Sequence, residues 1–177
     1  MNRFLLIPVL LLTLLSAALA ANVGGCNSIG GWLTGTCTDV TVPARATAAL
    51  GDEPGTTSTS YVMAGYGNAA TITPIATGNV FFMLTGSINN TTNADGCSLL
   101  LAYGTGSAPA NGASAAGTTV GGAQVISGFN TGYLSWILQA HVTGLTPGTA
   151  YWFDAQFKAV TGGECVPNTG TATALEG

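Results

Sequence analysis

The sequence predicts an all-β chain, an antiparallel Greek-key β-sandwich of the jelly-roll kind with about eight strands. Three observations predict it. Between 133 and 159 the residues alternate with a period of two: Leu134, Trp136, Leu138, Ala140 and Val142 against Tyr133, Ser135, Gln139, His141 and Thr143, then Tyr151, Phe153, Ala155, Phe157 and Ala159 against Trp152, Asp154, Gln156 and Lys158. Ile137 is the exception on the polar face. Short apolar runs recur at 61–64, 70–75, 80–88, 97–103, 123–127, 133–142, 151–160 and 165–175, separated by turn-forming residues. No helical pattern, heptad or collagen-like tract lies between them.

The elements follow in order from an export signal. Arg3 supplies the positive start, 4–15 is an apolar run broken by Pro8 and Thr13, and Ala18-Leu19-Ala20 is a small-x-small cleavage site. The run is shorter than the roughly 20 residues a spanning helix needs, so residues 1–20 are expected to be removed and the mature chain to carry no membrane insertion. Residues 21–50 form a small-residue segment with Trp32, Cys26 and Cys37, expected to be a stapled arm or a leader. The turn-rich stretch 51–60 sets the expected boundary, and 51–177 the expected sandwich domain. Within it, Val80-Phe81-Phe82-Met83-Leu84 is apolar on both faces. Such a strand is either covered centrally or pressed against another subunit, and Val80, Phe82 and Leu84 are the expected subunit contacts; on that reading Phe82→Asp dissociates the assembly.

Two loops stand apart. Residues 89–96 carry overlapping glycosylation sequons at Asn89 and Asn90, read here as a polar hairpin loop. Residues 104–122 are Gly, Ala and Ser-rich and long for a compact domain, which suits a surface excursion or a packed edge segment. At 144–151, Pro147 presets a turn, Gly148 accepts a positive φ, and Tyr151 is placed to return its hydroxyl to the turn backbone as a tyrosine corner.

Composition excludes several functions. Charged residues make up 6% of the chain, against about a quarter ordinarily, while 47% is hydrophobic, so the chain is neither disordered nor a polyelectrolyte. Beyond the signal, Arg45 and Lys158 are the only bases, too few to neutralise nucleic-acid phosphates. A surface this poor in charge does little to keep copies apart, which hints at self-association. Four cysteines in an exported chain allow three disulfide pairings; the pairing expected is Cys26 with Cys37 and Cys97 with Cys165. There is no CxxC pair and one histidine, so no metal site is expected. No cofactor signature is present. His141 has no G-x-S-x-G partner, the adjacent acids Asp52 and Glu53 have no base nearby in sequence, and no catalytic residue is assigned.

Two resemblances add to this reading. Leu145-x-Pro147-Gly148-Thr149-x-Tyr151 resembles the turn before the last two strands of fibronectin type III domains. More of the chain, 44–177, through ARATAALGDEPGTTSTSYVMAGYG, TGNVFFMLTGSINNTTNADGCSLLLAYGTGSAPANGA and VTGLTPGTAYWFDAQFKAVTGG, resembles β-sandwich modules of bacteriophage tail-fibre and virion-associated proteins, similar in strand order to complement and tumour necrosis factor heads. That resemblance implies a non-enzymatic structural or adhesive module assembling as a trimer. The alternative is a monomeric carbohydrate- or receptor-binding module, with Trp152, Tyr66 and Tyr103 as exposed aromatics stacking on sugar rings.

Overall fold

The computed structural model describes residues 43–128 and 132–177. The described residues belong to one compact unit, Pro43–Gly177. The signal, Trp32 and the expected Cys26–Cys37 bridge therefore lie outside the described residues.

Among the described residues this unit holds nine strands and one short 3-10 turn: β1 (Arg45–Leu50), β2 (Val62–Met63), the turn Tyr66–Asn68, β3 (Thr71–Ile72), β4 (Val80–Asn90), β5 (Cys97–Thr105), β6 (Thr118–Ile126), β7 (Leu134–Val142), β8 (Tyr151–Ala159) and β9 (Cys165–Glu176). They form a four-stranded sheet in the order β1-β9-β4-β7 and a five-stranded sheet in the order β2-β8-β5-β6, with β3 also on β8. All pairings are antiparallel. If β2 and β3 are taken as two pieces of one interrupted strand, the first and last strands of the unit pair in one sheet and the second and second-last in the other. That nesting is the jelly roll.

The core lies between the sheets, and the period of two decides what enters it. On β8, Tyr151, Phe153, Ala155, Phe157 and Ala159 point inward. On β4, Val80, Phe82, Leu84 and Ile88 do so, and the Phe82 ring stacks on Phe153 with centroids 3.7 Å apart. Here the expectation of a subunit contact is corrected. Val80, Phe82 and Leu84 are at most 1% exposed and fill the protein's own core, because the second sheet supplies the cover that a partner was expected to supply. Their alternates Phe81 and Met83 carry the other face.

One boundary is corrected and one loop reading is decided. β1 precedes the expected boundary at 51 and pairs with β9 along its whole length, from Arg45↔Leu175 to Leu50↔Gly170. Its inward residues are Ala46, Ala48 and Leu50, so the apolar contrast is too small to mark a strand. Of the two readings of 104–122, the packed one holds rather than the excursion: Gly104 and Thr105 finish β5, the edge strand β6 begins at Thr118, and the residues between fold back over the sheet.

Two locks finish the frame. The Tyr151 hydroxyl accepts the Thr146 N–H at 3.0 Å, the expected tyrosine corner, with Gly148 at φ 80°. Cys97 and Cys165 are disulfide-bonded across 68 residues, joining β5 of one sheet to β9 of the other, and both are fully buried.

Candidate functional site

The two sheets turn very different outer faces to their surroundings. On the outer face of the β2-β8-β5-β6 sheet, β8 presents Trp152, Asp154, Gln156 and Lys158. The part of this face around Met63, Ala102 and Trp152 is roofed by the protein's own chain, while Val125 on the edge strand β6 stays 61% exposed. Residues 106–117 cross the roofed part, with Ala108, Ala113 and Ala116 packing on Met63, Ala102 and Trp152. The roof is pinned by hydrogen bonds: Met63 N–H to Ala113 O and Gly112 N–H to Met63 O, both 2.9 Å, and Gln156 Nε2 to Ala116 O at 3.0 Å. Asn111 Nδ2 donates to Pro54 O and Ala64 O.

The aromatics expected to be open platforms are therefore corrected. Trp152 is 5% exposed and its Nε1 donates to Thr105 O at 3.2 Å. Glycine is required at 104 and 117, where a Cβ would come within 2.5 Å of the indole. Tyr66 is 2% exposed in the main core. Tyr103 is half-buried and stacks on Phe153 at 5.7 Å. None of the three offers a free ring face for a sugar, because each ring is used to fill space within the fold.

Both buried carboxylates among the described residues are spent on backbone amides. Asp154 accepts from Gly65 (3.1 Å), Tyr66 (3.0 Å) and Ala155 (2.7 Å). Burial pushes its pKa up to about 7, against the downward pull of the amides of Tyr66, Ala155, Gly65 and Gly67. Glu176 accepts from Ala44, Ile75, Ala76, Thr77 and Gly78, at 2.6 to 3.1 Å. Desolvation opposes ionisation there, but the amides of Ile75, Ala44, Ala76 and Gly78 outweigh it and hold the carboxyl well below its ordinary range. Each acid is a clamp between distant segments. Of the adjacent acids, Asp52 accepts the Thr169 N–H at 3.0 Å, a turn contact.

The sequon at Asn90 is likewise structural. Asn90 is 3% exposed, its Nδ2 donates to Gly96 O and Gly162 O, and its Oδ1 accepts the Thr92 N–H. Among the described residues no group of His, Cys, Asp and Glu is placed to hold a metal ion. A cavity of about 10 Å³ between β1 and β3, lined largely by alanine and threonine around Phe82, is far below the roughly 300–1,000 Å³ of ligand pockets. No described helix is long and apolar enough to cross a membrane.

The outer face of the β1-β9-β4-β7 sheet is different. The strand register arranges it in cross-strand rows: Arg45–Leu175–Phe81–His141, Thr47–Thr173–Met83–Gln139, and Ala49–Thr171–Thr85–Ile137. Phe81 and Leu175 are each 38% exposed and Ile137 48%. Arg45 is the one permanent charge in these rows, and none holds an acid. Nothing in the sequence marks Phe81, Met83 and Leu175 as a surface. In a run apolar on both faces, nothing distinguishes the core side from the other. Ile137, the break in the polar alternation of β7, was the visible signal.

No family model matches the chain, and no curated protein matches it. Among solved structures, that of Eiger TNF from S. frugiperda aligns over 75% of this chain and 92% of its own, with 10% sequence identity and a TM-score of 0.40.

Proposed function

We propose that this protein is an exported, non-enzymatic structural or adhesive module that assembles with copies of itself through the outer face of the β1-β9-β4-β7 sheet. The observation that carries the reading is the asymmetry between the sheets. One outer face is roofed over most of its width by the chain's own loop, while the other exposes Phe81, Leu175 and Ile137 around the half-buried Met83, among threonines. A second copy suits this face better than a foreign partner, for two reasons. The chain carries a net charge of −4, yet the face holds no acid, so identical faces are not pushed apart and nothing on them selects a charged ligand. Four strands about 4.8 Å apart and about eight residues long give a projected face on the order of 500 Å², comparable with the roughly 800 Å² of accessible surface per partner in a stable interface.

A trimer is the stoichiometry that the tail-fibre and tumour necrosis factor-like resemblance implies, and a fibre tip or cell-surface component is the role that goes with it. The buried Cys97–Cys165 bridge suits an extracellular or periplasmic location. Light scattering of the mature chain, 21–177, at pH 8 tests the reading. An oligomer is expected, with Ile137→Asp returning a monomer that melts like the parent subunit. A monomeric parent protein overturns it.

A further inference from the structure

The self-assembling face contains the chain's one histidine, and its position gives that face a means of regulation. His141 is exposed on β7, directly opposite Phe81, which in turn lies opposite Leu175. It thus ends an apolar row whose far end is Arg45, three strand spacings or about 14 Å away. The elements packed against β7 present no titratable side chain to it. β4 contributes Phe81 and Met83 on this face, β6 carries no ionisable residue, and β5 turns Tyr103 into the core. Glu176, at the end of β9, faces inward and is occupied by the amides of 44 and 75–78. No carboxylate on this face is therefore available to pair with a charged imidazole.

Resting on the reading above, we infer that His141 is a pH gate for assembly: the neutral imidazole is tolerated beneath a second copy, and the protonated one is expelled to water, opening the interface. A buried cation without a partner is strongly disfavoured, whereas a neutral imidazole needs only a hydrogen bond. Imidazole is the side chain whose charge ordinarily changes between pH 5 and 8. If the covered state excludes the added proton, association weakens by linkage as pH falls from 8 to 5.5, and the loss multiplies with each subunit of the assembly.

The experiment compares dissociation constants at pH 8 and pH 5.5 for the full mature chain and for His141→Gln, which cannot be charged. The ratio between the two pH values is expected to be large for the parent and near one for His141→Gln, whatever the variant's affinity. Equal ratios overturn the inference, because Asp154 or another acid would then be responsible, and so does a parent that stays assembled at both pH values. A second readout does not depend on that variant. The imidazole proton signal should titrate at lower pH in the assembled parent than in monomeric Ile137→Asp, and coincident midpoints also overturn the gate. A parent already monomeric at pH 8 removes the assembly reading itself, which separates the two failures.

Discussion

Replacing Phe82 by alanine removes a ring that is 1% exposed, stacked on Phe153 at 3.7 Å and central to the space between the sheets. Large-to-small changes of this kind cost about 3–5 kcal/mol, combining the lost transfer energy with the cavity left behind. The upper half of that range applies here, because the neighbours are held by two hydrogen-bonded sheets and the aromatic pair is lost as well. For a domain of this size the melting temperature should fall on the order of 10–20 °C. Urea unfolding at pH 8 measures the loss, with Ile137→Asp as the comparison because it lies on the outer face. Phe82→Ala should lower stability at every protein concentration, whereas Ile137→Asp should change native mass with little effect on the isolated subunit. If Phe82→Ala instead dissociated an assembly while the subunit melted unchanged, the assignment of inner and outer faces on β4 would be refuted.

Four further outcomes are expected. Changing both Cys97 and Cys165 to alanine should cost about 4 kcal/mol on the chain-entropy view of a loop this long, read from the urea midpoint of the double variant. The two buried acids should act with opposite sign. The depressed pKa of Glu176 contributes stability above the ordinary carboxylate range that is lost as pH falls, so Glu176→Gln should flatten the acid limb of the stability profile. Asp154, raised to about 7 by burial, contributes stability that is present below about pH 3.9 and lost as pH rises through 7, so the difference between parent and Asp154→Asn should shrink between pH 5 and 8. Gly117→Ala, at φ 81° and with its Cβ within 2.5 Å of the indole, should lift the 106–117 roof and shift Trp152 emission to the red, while leaving native mass unchanged.

The jelly-roll class was legible because its causes are local. A period of two in β7 and β8, the Pro147-Gly148 turn and the tyrosine corner at Tyr151 all act within a few residues of one another, so the chain displays them in order. The Cys97–Cys165 bridge was one of the pairings the sequence allowed, and the adjacent ends of β5 and β9 realise it. By itself, then, the sequence determined that the chain folds into antiparallel strands, roughly where most of them run, and that its surface is nearly uncharged.

What faces what was decided by the tertiary structure. Alternation reports that two faces of a strand differ, and β4 is apolar on both, so no local signal could send Phe82 inward and leave Phe81 outside. β1 is a strand because β9 pairs with it, not because RATAAL is a strong strand former. Trp152 lies on the nominally polar side of β8, where an exposed platform was expected. It is buried because a glycine and alanine-rich stretch, with no strong preference of its own, closes over it where Gly104 and Gly117 leave room for the indole. The same long-range packing that roofs one sheet leaves the other bare, and that difference, absent from any short window of sequence, is what singles out the face bearing Phe81, Ile137 and His141.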